Sequence, residues 1–183
     1  MRVIVIGGNG QLGADLCKSF AKSGADVVPL THEDIEVADI DSVSEVLQRS
    51  SPDVVVNSSA MHHLGQCEDD PARSFAVNGI GARNLALACN DNDALLIHIS
   101  TDYVFDGTKR APYLEDDRPQ PLSVYGNTKL SGEYFIQEAS RRHYILRVSG
   151  LYGESACRAK GLNFVKLMLK LGSERDEVRV VDN

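Results

Sequence analysis

The sequence reads Val3-Ile4-Val5-Ile6-Gly7-Gly8-Asn9-Gly10-Gln11-Leu12-Gly13 close to its first residue. Four consecutive β-branched residues predict a buried strand, and the amphipathic stretch Gln11 to Ser23 predicts a helix directly after it. The glycines between them fit both Gly-x-x-Gly-x-x-Gly and Gly-x-Gly-x-x-Gly spacing. Because glycines leave the backbone bare, a phosphate can approach the N–H groups at the positive end of the helix. Strand, turn and helix together predict dinucleotide binding.

Apolar runs of strand length alternate with helix-length segments along the rest of the chain. We predict further strands at Ala25 to Leu30, Val54 to Val56, Ala94 to Ile99, Tyr144 to Val148 and Val178 to Val181. We predict further helices at Ser42 to Arg49, after Asp70-Pro71, at Val124 to Ser140 and at Asn163 to Leu171. Strands that are apolar on nearly every residue suit a parallel sheet covered on both faces. The order predicts a doubly wound, Rossmann-like α/β domain of three αβα layers.

The composition excludes several classes of protein. The 183 residues are 43% hydrophobic and 25% charged, which is typical of one globular domain. A net charge of -7 without any block of Lys and Arg argues against nucleic-acid binding. The apolar runs are too short for a signal peptide or a membrane span, so we expect a cytoplasmic protein without membrane contact. The cysteines are widely spaced, which predicts reduced thiols: Cys17, Cys67, Cys89 and Cys157.

The stretch Tyr125-Gly126-Asn127-Thr128-Lys129 places a phenol and an ammonium group four residues apart in a predicted helix. Side chains at this spacing share a helix face, so we expect Lys129 to favour the ionised phenol and to lower the pKa of Tyr125. Tyr125 is then a candidate proton donor. Ser100 and Thr101 end the fourth predicted strand, where a hydroxyl can hydrogen-bond a substrate carbonyl oxygen. The alternative is that these hydroxyls only begin a turn.

Other strand ends reach the same crevice of a parallel sheet. Ser59 and Ala60 follow the third strand, where small residues let the backbone run beside a cofactor. Asp39-Ile40 either flanks an adenine, or Asp39 caps the second helix. The second strand ends in Thr31 and His32. An acidic residue there would indicate NADH and an Arg would indicate NADPH, but neither is present. Both cofactors stay open, with NADPH slightly favoured because Thr31 and His32 can donate to a phosphate.

The loop residues give weaker indications. Asp102 to Ser123 is the longest irregular stretch, and a loop of this length is usually functional. His62 is a candidate for substrate contact. Because adjacent histidines such as His62 and His63 point apart and lack a carboxylate or thiol at ligand spacing, we expect no metal site. His98 alternates along a buried strand and is predicted to be a core residue.

Four stretches resemble those of the dTDP-4-dehydrorhamnose reductases, an extended group within the short-chain dehydrogenase/reductase superfamily: Gly7 to Gly13, Ser100 to Gly107, Tyr125 to Glu133 and Arg147 to Gly153. The resemblance implies the catalytic triad Thr101, Tyr125 and Lys129. It implies a cofactor site formed by Gly7, Gly10, Gln11, Leu12, Gly13, Thr31, Asp39, Ile40, Ser59, Ala60, Tyr125 and Lys129. It implies substrate contacts from His62, Thr101, Asp102, Tyr103 and Tyr125. Family members often carry a Tyr-Thr pair where this chain has Met61-His62-His63.

The resemblance also implies an activity. A hydride would pass from NADPH or NADH to the C4 keto carbon of a dTDP-linked 6-deoxyhexulose, giving dTDP-L-rhamnose, while Tyr125 protonates the oxygen. Family members continue into a smaller substrate domain. We therefore expect residues 1–183 to be the dinucleotide-binding domain, with cofactor affinity but little reductase activity. The resemblance also allows a homodimer.

Two other functions share these motifs. One is a non-catalytic dinucleotide-binding subunit that resembles the β subunit of methionine adenosyltransferase and would oxidise no cofactor. The other is a nucleotide-sugar epimerase or dehydratase, which would retain its cofactor through the cycle. Net consumption of cofactor distinguishes a reductase from both.

Overall fold

The computed structural model describes residues 1–155 and 164–179, which form a parallel sheet flanked by helices. Its strands are β1 (Arg2–Ile6), β2 (Asp26–Leu30), β3 (Val54–Asn57), β4 (Leu95–Thr101) and β5 (His143–Val148). They lie in the order β2-β1-β3-β4-β5, and each neighbouring pair is parallel. The predicted doubly wound α/β fold is confirmed. In this order the strand connections change direction between β1 and β3, which is where open α/β sheets form a ligand crevice.

The seven helices in the described part of the chain are α1 (Gln11–Lys22), α2 (Ile40–Ser50), α3 (Leu64–Asp69), α4 (Pro71–Phe75), α5 (Gly81–Asp91), α6 (Val124–Ala139) and α7 (Phe164–Glu174). A π-helical segment, Ala76–Ile80, joins α4 to α5. The long helix predicted after Asp70-Pro71 therefore exists, with one π interruption, and Asp70 caps it by accepting from the Arg73 amide at 3.0 Å. Of the helices in residues 1–155 and 164–179, none combines the length and apolarity needed to cross a bilayer.

One expectation near the end of the sequence needs correction. The predicted strand Val178 to Val181 is not formed in its described part, because Val178 and Arg179 have no strand pairing. Val180 and Val181 lie outside the described residues. The last helix begins at Phe164, whereas its predicted first residue, Asn163, is also outside them, as is Cys157.

Alternate residues of the strands pack on opposite faces of the sheet. Ile4 and Ile6 belong to a buried cluster with side chains of α2 and α5, including Leu47 and Leu85. Val3 and Val5 belong to a second cluster, against which α1 packs. Burying one such aliphatic side chain contributes about 1.5–3 kcal/mol. Covering both faces in this way fixes the carboxyl ends of the strands, and those ends carry the candidate site.

Candidate active site

The glycine turn closes tightly under the first turn of α1. Gly7 adopts a left-handed φ of 78°, which favours glycine, and a Cβ there would lie 3.0 Å from Ser58 Oγ. A Cβ on Gly13 would overlap the carbonyl oxygen of Gly7, so only glycine fits. Gly10 stands at the N-cap position of α1. The bare backbone that the sequence predicts is therefore required by the packing of this turn.

The first-turn amides of α1, at Gln11, Leu12 and Gly13, point out of the helix end and can donate to a phosphate. The first turn of α1 carries no acidic side chain that would oppose an anion. The Gln11 side chain has a different partner, because its Nε2 donates to the Leu151 carbonyl at 2.9 Å. The backbone of Gln11 is thus suited to the cofactor, and its side chain ties α1 to the segment after β5.

A cleft of about 380 Å³ lies against this turn, at the carboxyl ends of β1, β2 and β3. It occupies the crevice between β1 and β3 where the sheet order predicts a ligand. Six of the residues predicted from sequence line it together: Gly7, Gly10, Thr31, Ser59, Ala60 and His62. The structure therefore brings the ends of three strands into one dinucleotide-sized groove.

An acidic side chain and two basic side chains lie near the end of β2. Thr31 donates to the Asp34 carboxylate through its amide at 2.8 Å and its hydroxyl at 2.9 Å. These bonds lower the pKa of Asp34 below its ordinary value, the amide bond most strongly. His32 and Arg73 also line the cleft. Sequence reasoning missed Arg73, because it reaches the cleft from α4 and belongs to no cofactor motif.

Asp39 takes the second of its two predicted roles. It occupies the N-cap position of α2 and accepts from the Asp41 amide at 2.9 Å, and Ile40 is the first residue of that helix. The cleft wall on this segment is formed by Ile35, Glu36 and Val37. Contact of Asp39-Ile40 with an adenine stays a prediction.

Thr101 and Tyr125 meet where β4 ends and α6 begins. Thr101 is the last residue of β4 and is buried, and its hydroxyl lies close enough to the Tyr125 phenol to oppose the rise in the Tyr125 pKa that burial causes. The Thr101 hydroxyl also donates to Asp102 Oδ1 at 3.2 Å. The predicted pairing of a strand-end hydroxyl with the helical phenol is therefore present.

The first turn of α6 is held close to the loop after β4. Ser123 caps the helix by accepting from the Gly126 amide at 3.1 Å. A Cβ on Gly126 would overlap the Tyr103 carbonyl oxygen, so glycine beside Tyr125 permits this approach. The Tyr103 and Tyr125 rings pack edge to face, with centroids 5.8 Å apart. Tyr103 itself is half exposed beside the phenol.

The orientation of Lys129 corrects one prediction. Its Nζ donates to the Ile99 carbonyl at 2.7 Å and lies 3.0 Å from His98 Nε2, and the side chain is 1% exposed. Burial raises the pKa of Tyr125, a Thr101 hydrogen bond opposes that rise, and Lys129 is not among the groups that act on it. The prediction that Lys129 lowers the Tyr125 pKa is therefore wrong in this structure. Helical spacing places both residues on one face, but partners on β4 direct the Lys129 amine.

Asn78 of the π-helical segment joins the loop after β3 to α6. Its Oδ1 accepts from the Met61 amide at 3.0 Å, and its Nδ2 donates to the Met61 carbonyl at 2.9 Å. The same Nδ2 lies 3.1 Å from Thr128 Oγ1. π-Helical segments are often found at functional sites, but they leave no reliable pattern in a single sequence. Sequence reasoning therefore missed Asn78.

The two loop histidines have separate positions. His62 lines the cleft, with its Nδ1 3.4 Å from the Ala60 carbonyl oxygen, whereas His63 stands at the N-cap position of α3. Across residues 1–155 and 164–179, no three His, Cys, Asp or Glu side chains converge to hold a metal ion.

A second cleft, of about 690 Å³, lies between the loop after β4 and the β5–α6 edge. Glu133 is buried on its floor and binds Arg147 through contacts of 2.7 and 3.1 Å, while the Ser100 hydroxyl donates to the same carboxylate. The Arg147 guanidinium stacks 5.0 Å from the centroid of the Phe105 ring. This cluster fixes the loop that begins at Asp102, and no sequence motif predicted it.

The parallel sheet with a glycine turn at its switch point, and Thr101 and Tyr125 beside it, are of the short-chain dehydrogenase/reductase type. The chain belongs to the family described as "RmlD substrate binding domain", whose model matches residues 1–183. The resemblance predicted from its motifs is confirmed.

Named relatives match nearly the whole chain. The spore coat polysaccharide biosynthesis protein SpsK of Bacillus subtilis is 40% identical over 182 residues, which are 100% of this chain and 62% of that protein. A dTDP-4-dehydrorhamnose reductase of Sinorhizobium fredii is 39% identical over 99% of this chain and 59% of its own. The crystal structure of the Bacillus anthracis dTDP-4-dehydrorhamnose reductase in complex with NADP matches with a TM-score of 0.89 and 37% identity, over 97% of this chain and 61% of that one. The chain thus spans about three-fifths of the length of these relatives.

Proposed function

We propose that this protein is an NADPH-dependent reductase of the 4-keto group of a dTDP-linked 6-deoxyhexulose, giving dTDP-L-rhamnose. The observation that carries the proposal is the approach of the Thr101 hydroxyl to the Tyr125 phenol at the carboxyl edge of a sheet whose glycine turn suits a dinucleotide. Relatives with nearly 40% identity are named dTDP-4-dehydrorhamnose reductase. Residues 1–183 form the dinucleotide-binding part of this enzyme and carry its catalytic side chains.

The glycine turn supports the cofactor assignment. Gly7, Gly10 and Gly13 let the turn close on its own backbone without a side chain in the way, and the first-turn amides of α1 lie at this turn. When bound, the nicotinamide supplies the hydride for the reduction. Ser59 and Ala60 would bind along its path, since they line the same cleft.

Tyr125 is suited to the role of proton donor in its protonated form. Burial raises the pKa of its phenol, so the hydroxyl carries its proton at neutral pH and can donate it to the substrate oxygen as negative charge develops there. Thr101 lies next to the phenol and would orient the carbonyl oxygen by a hydrogen bond. Lys129 completes the proposed triad, and its amine would have to turn from the Ile99 carbonyl towards the cleft to hold the nicotinamide ribose.

NADPH is the proposed cofactor, because Arg73 adds positive charge to the cleft wall beside β2 and the His32 side chain lines the same wall. The Bacillus anthracis relative was crystallised with NADP. Separate titrations of the Arg73→Ala variant with NADPH and NADH test this assignment, and an equal loss for both would refute it.

Contacts to the sugar are proposed for His62, Asp102 and Tyr103, which lie around the Thr101–Tyr125 pair or the adjoining cleft. A homodimer and a cytoplasmic location stay predictions. Sedimentation equilibrium of the purified protein tests the first, and imaging of a fluorescent fusion in cells tests the second.

The function is tested by following NADPH absorbance after dTDP-4-dehydrorhamnose is added to the full-length protein, since residues 1–183 alone are expected to have little reductase activity. The proposal predicts stoichiometric loss of NADPH and formation of dTDP-L-rhamnose. Tight NADPH binding without any oxidation would instead support the dinucleotide-binding subunit. Conversion of the sugar without net NADPH loss would support an epimerase or dehydratase.

A further inference from the structure

His98, which has no role in the proposed reaction, is part of a buried series of hydrogen-bonded polar side chains. The residue is 1% exposed, on β4 between β3 and α6. Its Nδ1 lies 3.0 Å from Asn57 Nδ2, and its Nε2 lies 3.0 Å from Lys129 Nζ. The series continues from Asn57 to Ser59, which lines the dinucleotide cleft. A wall residue of the cleft is thereby linked to Lys129 through two buried side chains.

The hydrogen-bond directions in this series are determined from its Ser59 end. The Ser59 amide can only donate, and it lies 3.1 Å from Asn57 Oδ1, so this atom is the amide oxygen. The Ser59 hydroxyl donates to the same oxygen at 2.7 Å. Asn57 Nδ2 must then face His98, and because it can only donate, His98 Nδ1 is the acceptor. Reversing the amide would direct its NH2 group against a backbone N–H.

A neutral imidazole that accepts at Nδ1 carries its proton on Nε2. This N–H points at Lys129 Nζ, so the amine must accept, and an ammonium group has no lone pair with which to do so. Nζ still donates to the Ile99 carbonyl at 2.7 Å. A neutral amine satisfies both contacts, and an ammonium satisfies only one.

We propose that His98 is a positioning residue for Lys129: its Nε2–H donates to Nζ and holds the side chain as a neutral amine directed at Ile99, in a tautomer selected by Asn57 and Ser59. The inference deepens the proposed function, because Lys129 is one of the three proposed catalytic residues. Protonation of Lys129 requires His98 to present a lone pair at Nε2 and therefore to carry its proton on Nδ1. The Asn57 amide must then rotate so that its oxygen faces this N–H. A ligand that moves Ser59 would therefore alter the protonation of Lys129.

The surroundings of Lys129 agree with this assignment. Burial lowers the pKa of Lys129 to about 8, and the nearby Glu133 charge opposes that shift. Burial holds the pKa of His98 well below its ordinary value, which keeps the ring neutral. The titratable groups contributed by the elements around this point are His98 from β4, Tyr125 and Glu133 from α6, Arg147 from β5 and Cys67 from α3.

The tautomer can be observed directly in the protein. A long-range 1H–15N correlation spectrum of histidine-labelled protein separates protonated from unprotonated ring nitrogens, and the His98→Gln variant identifies the His98 signals by their loss. The proposal predicts a proton on Nε2 and none on Nδ1 at about pH 9, above the Lys129 pKa of about 8, where the amine is neutral. A proton on Nδ1 would overturn it, and this measurement needs only the wild-type fold.

The effect on Lys129 is measured by following its 13Cε signal through a pH titration in lysine-labelled protein. A Gln at position 98 can turn its oxygen towards Nζ and accept from the ammonium. His98→Gln is therefore expected to raise the Lys129 pKa by about one unit or more. The matched control is His143→Gln. His143 is a partly buried histidine on β5 whose Nδ1 lies 3.2 Å from the Ser140 carbonyl oxygen, and its replacement should leave the Lys129 pKa unchanged. Equal titrations in both variants would refute the role of His98.

Neither spectrum requires cofactor, substrate or turnover. A protein that reduces no dTDP-sugar could still show the predicted tautomer, which would overturn only the proposed function. A working reductase with the opposite tautomer would overturn only the inference about His98. The two failures are therefore distinguishable.

Discussion

The Nζ atom of Lys129 donates a 2.7 Å hydrogen bond to the carbonyl oxygen of Ile99, and this bond joins the helix of Tyr125 to the strand that ends in Thr101. The amine is enclosed at the contact between α6 and β4. This buried contact, together with the hydrogen bond from Ser100 to Glu133, therefore holds the two elements that carry the candidate catalytic hydroxyls.

The pH dependence of stability should reveal this buried amine. The folded pKa of Lys129 is lowered to about 8, below its unfolded value, so between these pH values the unfolded chain binds more protons and stability rises with pH. The free energy of unfolding of the wild type, minus that of Lys129→Met, should increase by about 3 kcal/mol between pH 8 and 10.5. Urea titrations across this range measure the difference, and a flat difference would contradict the burial of the amine.

Gly13→Ala should damage both folding and cofactor binding. A Cβ at this position overlaps the Gly7 carbonyl oxygen, so the turn must open. Overpacking of this kind costs about 1–3 kcal/mol, and we expect NADPH affinity to fall at least about tenfold. Denaturant unfolding and calorimetric titration measure the two effects. The control is Gly172→Ala, where nothing lies within 4 Å, and it should be neutral or slightly stabilising.

Arg147→Ala should destabilise the protein far more than a surface arginine does. It leaves the buried Glu133 carboxylate with Ser100 but without its cation, a change that costs about 3–5 kcal/mol in buried pairs. Arg142→Ala removes an exposed pair with Asp93 and should change stability by about 0.5 kcal/mol or less. Equal losses of unfolding free energy in the two variants would show that the Glu133 cluster does not stabilise the fold.

Tyr125→Phe should separate binding from chemistry. Loss of a positioned acid lowers turnover by roughly a hundredfold or more, while the affinity for NADPH should stay nearly unchanged because the glycine turn is untouched. Steady-state rates and NADPH titrations of the purified variant measure both. Tyr134→Phe, on the exposed side of the same helix, is the control and should keep full activity. Retained turnover in Tyr125→Phe would remove Tyr125 from its proposed role.

The sequence was sufficient for the features that depend on local pattern. The β-branched run before Gly7 predicts β1, and the Asp70-Pro71 pair predicts the start of α4, because strand burial and helix capping act over a few residues. The grouping of Gly7, Thr31 and Ser59 in one cleft follows from parallel strand order, which places their strand ends on one edge.

Features that depend on tertiary packing were not predictable in the same way. Lys129 faces His98 and Ile99 because β4 passes beneath α6, and no helical spacing encodes which strand lies there. Arg73 and Asn78 reach the site from a helix whose contacts depend on its exact placement and on the π-helical segment. The pKa of Tyr125 followed burial rather than sequence proximity to a cation.

The proposed hydride transfer is tested most directly by following deuterium from NADPH that is labelled at both C4 hydrogens of its nicotinamide ring. After incubation with dTDP-4-dehydrorhamnose, we predict one deuterium at C4 of the product sugar for each NADPH oxidised. A product without deuterium at C4, or NADPH that keeps both labels, would contradict the proposed reductase.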